Sequence, residues 1–192
     1  MITRERLKRM LEVLKKRQPD LTVVLERLRN PHNISAILRT CDAVGIQYVH
    51  IVEETGVVAV SKNVSRGSAQ WLDISFYDDS LKCIQRLKHQ GFKIYVTAIG
   101  PGAVDFREVD YTMPCAIVVG TELEGVSGEM ISRADELIVI PMVGFVQSFN
   151  VSVATAIIMY EAFKQRDAKG LYDSERVTPE ERQRILEKWI NL

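Results

Sequence analysis

Cysteine is scarce in this chain and badly spaced for chemistry. Of 192 residues only Cys41, Cys83 and Cys115 are cysteines, far apart and odd in number, so no disulfide framework is written here. No CxxC or HxxxH spacing occurs, which argues against a structural or catalytic zinc. Each cysteine has apolar neighbours, the setting of a small buried hydrophobe in a reducing cytosol. The longest apolar run, VSVATAIIMY, falls well short of the roughly 20 residues that a membrane span needs. The charged N-terminus carries no apolar stretch of signal-peptide type. A cytoplasmic protein with no metal and no membrane partner is expected. Net charge is lacking too, since 25 basic residues balance 25 acidic ones. A dinucleotide-type GxGxxG is absent. GTELEG superficially suggests a phosphate loop, but Val126-Ser127 stands where the Lys-Ser/Thr of a Walker site would be.

What is present is patterning. Hydrophobic residues make up 46% of the chain and charged residues 26%, a soluble globular composition. Residues 3–18 read as a helix with a narrow apolar stripe, ended by Pro19. Seven basic residues fall in positions 1–17 (Arg4, Arg6, Lys8, Arg9, Lys15, Lys16, Arg17) against Glu5 and Glu12. LTVVLER and YVHIV read as strands, the stretch 53–70 as mostly loop, and 79–90 as an amphipathic helix closed by Gly91. FKIYVTA, CAIVVG and ELIVIPM are continuous apolar runs, as expected for parallel strands covered on both faces. A short helix is expected near 126–133, a long one over 150–168, and a final one over TPEERQRILEKWINL with Thr178 as N-cap and Pro179 at N1. Strands alternating with helices make an α/β domain with a mostly parallel sheet and helices on both faces. The expected organisation is a basic helical extension over 1–19, a core over 20–168 and a C-terminal helical extension over 169–192.

Ligands of open α/β sheets bind beyond the carboxyl ends of the strands. Three loops qualify: TAIGPG, GTELEG and IPMVGFVQSFN. In the third, Gln147, Ser148, Asn150 and Ser152 precede a very apolar helix, more polar groups than one N-cap requires. A further stretch, PHNISAILRTCDAVG at 31–45, reads as a helix with Asn33 as N-cap and Gly45 as a positive-φ stop. Ile34, Ile37, Leu38, Cys41 and Val44 share one buried stripe, while Ser35 and Arg39 lie on the polar face. For an isolated helical arginine, an ion pair with Asp42 is the ordinary reading.

HNISAILRTCDAVG, IVVGTELEGVS and IPMVGFVQSFNVSVATAIIMYE, in this order, resemble the three signature motifs of the SpoU (TrmH-type) RNA ribose 2′-O-methyltransferases. The resemblance spans nearly the whole chain. It implies an α/β fold of SPOUT type whose C-terminal part (roughly 92–168) is tied in a deep trefoil knot, a homodimer, and S-adenosylmethionine as cofactor. Helical extensions at both ends, and no extra N-terminal RNA-binding domain, point within the family to enzymes acting on tRNA, with guanosine 18 of the D-loop as the expected target.

The same resemblance implies the site. The cofactor would lie against Thr97, Gly120, Thr121, Glu122, Gly125, Ile140, Met142, Ser148, Phe149 and Asn150. Arg39 matches the catalytic arginine of the first motif and Asn33 the asparagine that supports it. A ribose 2′-hydroxyl is almost wholly protonated at neutral pH, so the enzyme must align it and favour its alkoxide character. Arg39 is either the general base or a cation that stabilises the alkoxide. Arg9, His32, Lys164, Arg166, Lys169 and Arg176 would contact the RNA, the cations through phosphates.

Overall fold

A computed structural model of the chain describes residues 2–53, 67–121 and 123–192. The expectations for Glu122, and for most of the 53–70 loop, lie outside the described residues. Elements follow in the order α1 (Arg4–Leu14), β1 (Leu21–Glu26), α2 (Pro31–Ala43), β2 (Tyr48–Val52), β3 (Asp73–Tyr77), α3 (Ser80–His89) and β4 (Lys93–Thr97). Then come β5 (Val104–Asp105), β6 (Cys115–Val119), α4 (Gly128–Ser132), β7 (Glu136–Val139), α5 (Val151–Ala168) and α6 (Pro179–Ile190).

The seven described strands form one sheet in the order β3-β2-β1-β6-β4-β7-β5, with every pairing parallel. Parallel strands need both faces covered, and the central ones show it: all six residues of β1 and all five of β6 are buried. Period-two alternation splits these strands between two cores. Leu21, Val23, Leu25, Ile117 and Val119 pack with α2 and α5, whereas Val24, Ala116 and Val118 pack with α3 and α4.

In α2 the five stripe residues Ile34, Ile37, Leu38, Cys41 and Val44 are all buried, and Gly45 has φ +87°. A Cβ at Gly45 would lie 2.6 Å from the Lys16 carbonyl oxygen, so both space and φ demand glycine. The N-cap differs from expectation. Asn30 caps the helix, accepting from the His32 amide at 2.9 Å, with Pro31 at the first helical position. Asn33 therefore lies inside the helix and is buried. The first helix also stops early, at Leu14, because Gln18 leaves it to bridge beside Ile46, its amide donating to the Gly45 carbonyl at 2.8 Å. Strand β3 and the two-residue β5 had no counterpart in the sequence reading.

The terminal elements pack on each other. Met10 and Leu14 of α1 join Val177, Ile185 and Trp189 in a third cluster. Trp189 donates to the Trp71 carbonyl at 3.1 Å, and Arg17 stacks 5.1 Å from the Trp189 ring centroid. Arg17 is buried with its Nη2 2.6 Å from Asp42, so one of the seven N-terminal cations serves the interior. Burial drives its pKa down, and Asp42 opposes that.

Arg166, expected on the RNA face, is wholly buried. Its five N–H groups find five acceptors: Tyr111 O from Nε (2.8 Å), Gln18 Oε1 and Asp20 Oδ1 from Nη1 (3.0 and 2.7 Å), and Asp20 O and Met113 O from Nη2 (3.2 and 3.1 Å). The second Asp20 oxygen takes Arg176 Nη2 at 2.5 Å. Arg166 continues the buried Ile158–Ala162 stripe at four-residue spacing, which is why it points inward. The expected contact with RNA is corrected accordingly: this guanidinium ties α5 to β1 and to the approach to β6. Arg166→Ala takes a donor from the Asp20 carboxylate, Gln18 Oε1 and three backbone carbonyls at once, and is expected to lower the unfolding free energy by about 3–5 kcal/mol in urea titration. Arg166→Lys, lacking the planar fork, should recover only part of that loss.

Candidate functional site

The carboxyl ends of β4, β6 and β7 open into a cleft of about 390 Å³, in the size range of ligand pockets. Thr97, Gly120, Thr121, Gly125, Ile140, Met142, Ser148 and Phe149 all line it. The three glycine-bearing or polar loops thus meet in one place. The β6 turn is very tight: Thr121 and Gly125 exchange backbone hydrogen bonds at 3.1 and 3.0 Å. A Cβ on Gly120 would sit 2.1 Å from the Gly125 carbonyl oxygen, so only glycine permits the turn. The Thr97 hydroxyl donates to the Val118 carbonyl at 3.1 Å, tying the β4 loop to β6. Ile99, Val126, Ile138 and Ile158 add apolar wall beyond the residues singled out as cofactor contacts. Val126, Ile138 and Ile158 have only the signal of ordinary core, and Ile99 that of an exposed residue in the β4 loop.

Asn150 is placed differently, at the N-cap of α5. Its Oδ1 accepts from the Ser152 amide at 2.9 Å and from the Ser152 hydroxyl at 2.6 Å. Its Nδ2 donates to Asn33 Oδ1 at 3.2 Å. Part of the polar surplus before α5 is therefore a cap, and part is a link from the cleft's rim to α2.

On the far side of that link, α2 and α5 enclose an open groove lined by His32, Ser35, Arg39, Phe106, Ser152 and Tyr160 among others. Arg39 is exposed there. Asp42, its expected alternative partner, is taken by Arg17, and Arg39 has no ion pair among the described residues. The groove contributors Phe106 and Tyr160 were not singled out in sequence; Phe106 follows the short β5, which left no periodic signal.

The remaining cations fall on separate surfaces. Arg9 is exposed and loosely paired with Glu12 at 3.7 Å. Lys164 is exposed with Glu161 at 3.2 Å, and Lys169 is exposed at the C-cap of α5. Arg176 is half-buried against Asp20. The three thiols offer no nucleophile: burial pushes Cys41, Cys83 and Cys115 up to about 12. Among the described residues no group of three or more His, Cys, Asp and Glu side chains is arranged for a metal, and no helix is long and apolar enough to cross a membrane.

An α/β sheet with a glycine-turn cleft at its strand ends lies beside a groove carrying an arginine with no ion pair among the described residues, and comparison with known proteins gives this arrangement a family. The pattern of the SpoU rRNA Methylase family matches residues 20–160, and the chain belongs to that family. A Thermus thermophilus protein named tRNA (guanosine(18)-2′-O)-methyltransferase is 50% identical over 188 residues, 98% of this chain and 97% of its own. The crystal structure described as the Aquifex aeolicus TrmH/SpoU tRNA modifying enzyme superimposes with a TM-score of 0.91 at 48% identity, covering 97% of this chain and 95% of that one. An AdoMet-bound rRNA methyltransferase structure from Sinorhizobium meliloti gives a TM-score of 0.69 at 29% identity, covering 80% of this chain and 59% of that one.

The geometry separates two roles that stability measurements can read. Arg39→Ala removes an exposed, unpaired side chain and should change stability by less than about 0.5 kcal/mol. Asn33→Ala removes a buried side chain and its hydrogen bond to Asn150, and should cost about 0.5–1.5 kcal/mol. Equal losses in thermal or urea unfolding would contradict this assignment.

Proposed function

We propose that this chain transfers a methyl group from S-adenosylmethionine to a ribose 2′-hydroxyl of tRNA, with guanosine 18 as the target. The observation that carries the reading is the Asn33–Asn150 hydrogen bond, which joins the helix bearing Arg39 to the rim of the strand-end cleft. The names of the full-length relatives support the substrate, and the AdoMet-bound relative supports the cofactor.

The cleft fits such a cofactor. Ile99, Ile138, Ile140 and Ile158 would give a purine apolar cover, and the β6 turn would offer it backbone groups at Gly120 and Gly125. When bound, S-adenosylmethionine supplies an activated methyl group on a sulfonium. The chain must do the rest. The Asn33–Asn150 link sets the distance between groove and cleft, and the ribose oxygen enters from the groove side. Arg39 faces that oxygen. Guanidinium groups hold their proton to pH values above about 12, so a cation stabilising the developing alkoxide demands less than a neutral arginine base. Exposed Arg9, Lys164 and Lys169 supply phosphate contacts, Arg176 a further one from its half-buried position, and His32 contacts the substrate at the groove mouth.

The same reading includes a homodimer in which a second copy packs on the α5 side of the groove, around exposed Val153 and Tyr160, and leaves Arg39 open to the substrate. It also includes a cytoplasmic location and a core over 20–168 between extensions over 1–19 and 169–192. The trefoil knot belongs to it as well, supported by a sheet in which β6 inserts between β1 and β4.

Arg39→Ala is expected to abolish methyl transfer while leaving the binding of S-adenosylhomocysteine intact by calorimetry. Arg39→Lys separates the two roles. A cation role leaves measurable activity and no new ionisation near neutrality, whereas a base role gives a rate rising toward the lysine pKa of about 10. Wild-type turnover in Arg39→Ala would remove the arginine from the mechanism. Sedimentation at micromolar concentration should show a dimer; a monomer would refute the α5 face as an interface.

A further inference from the structure

Glu26, the last residue of β1, has no part in the chemistry above, yet its carboxylate is wholly buried. A buried carboxylate is costly unless hydrogen bonds compensate it. Three do. Oε2 accepts from the Ser127 amide at 2.7 Å, while Oε1 accepts from the Ser127 hydroxyl at 2.6 Å and from the Ser80 hydroxyl at 2.7 Å. Arg27 Nη2 stands 3.9 Å away.

These partners are not scattered. Ser127 is the N-cap of α4, its hydroxyl accepting from the Met130 amide at 3.2 Å. It directly follows Val126, which lines the cofactor cleft at the end of the tight β6 turn. The turn leaves the sheet at Val119, which pairs with Leu25. Both feet of the turn, Val119 and Ser127, are thus fastened by consecutive β1 residues, one by backbone pairing and the other by the Glu26 carboxylate. Immediately afterwards Arg27 takes φ +55°, a left-handed conformation rare outside glycine. The chain kinks at the point where Glu26 is delivered.

We propose that Glu26 is a positioning residue for the cofactor, acting through Ser127 to hold Gly125 and Val126 against Gly120 and Thr121 in the shape that binds it. This rests on the S-adenosylmethionine reading above. Glutamine is close to isosteric but cannot replace the carboxylate. With its oxygen on the Ser127 amide, its NH₂ meets two hydroxyls that both donate in the native arrangement. The Ser127 hydroxyl also accepts from Met130, so its donor capacity is left unused. Ser80 provides the contrast, because it shares the same carboxylate but sits on α3, away from the turn.

The test is calorimetric titration with S-adenosylhomocysteine, with steady-state kinetics on tRNA transcript. Glu26→Gln and Ser127→Ala should each weaken binding about tenfold, the scale of one charge-assisted hydrogen bond. The KM for S-adenosylmethionine should rise in step, with kcat at saturating cofactor and the KM for tRNA within about twofold of wild type. Ser127→Thr keeps the hydroxyl and should restore affinity. Combining Glu26→Gln with Ser127→Ala should weaken binding no further than one change alone. Ser80→Ala should lower stability without touching affinity. If Glu26→Gln fails to fold, the Ser127 pair and Ser80→Ala decide alone. Wild-type affinity in folded Glu26→Gln or in Ser127→Ala overturns the proposal, as does an equal loss in Ser80→Ala, which would make Glu26 general packing. A wild-type protein that does not bind S-adenosylhomocysteine overturns the cofactor reading itself, and this inference with it.

Discussion

A parallel sheet covered on both faces constrains everything else in this molecule. The central strands β1 and β6 are buried along their whole length, so no side chain on their faces can reach a substrate. Chemistry is confined to where the strands end. At that edge the β4, β6 and β7 loops converge into one cleft, and α2 and α5 leave the same edge to form the neighbouring groove. Cleft and groove are neighbours on α5 because the sheet leaves them nowhere else to be.

Within that frame, buried polar groups connect segments that apolar packing leaves free to slide. Arg166 fastens the end of α5 to Asp20 at the entry to β1 and to carbonyls before β6. Asn33 fastens α2 to the start of α5. Glu26 fastens β1 to the N-termini of α3 and α4. Apolar contact is non-directional, whereas these hydrogen bonds have fixed partners. Asn33 and Glu26 act at the carboxyl edge of the sheet, beside the cleft, and Arg166 at the opposite edge, where the strands begin.

Much of this was legible in the sequence, for physical reasons that also mark where it was not. The α2 stripe, the Gly45 stop, the three continuous strands and the α6 start at Thr178-Pro179 are local patterns with strong periodicity or turn chemistry, and the structure has them. The cleft-lining residues followed from matched motifs, and the described ones gather in one place. Asn33 was misplaced as a cap because Asn30-Pro31, an equally good start, lies one turn earlier. Arg166 was misassigned because charge composition near a helix end outweighed its four-residue register with Ile158 and Ala162. Strand β3 is an edge strand with a half-exposed pattern, and two-residue β5 is too short for any period. Glu26 looked like the polar end of a strand, since nothing local shows that a serine 101 positions away will cover it.

The central claim is that the α2–α5 groove presents Arg39 to a tRNA ribose next to a bound methyl donor. The measurement that addresses it most directly is incubation of unmodified tRNA transcript with S-adenosylmethionine labelled in its methyl group, followed by mapping of the labelled nucleotide. The account predicts one labelled position, guanosine 18, with the methyl group on the ribose 2′-oxygen. Label on a nucleobase, or no transfer to tRNA by a protein that binds the cofactor, would contradict it.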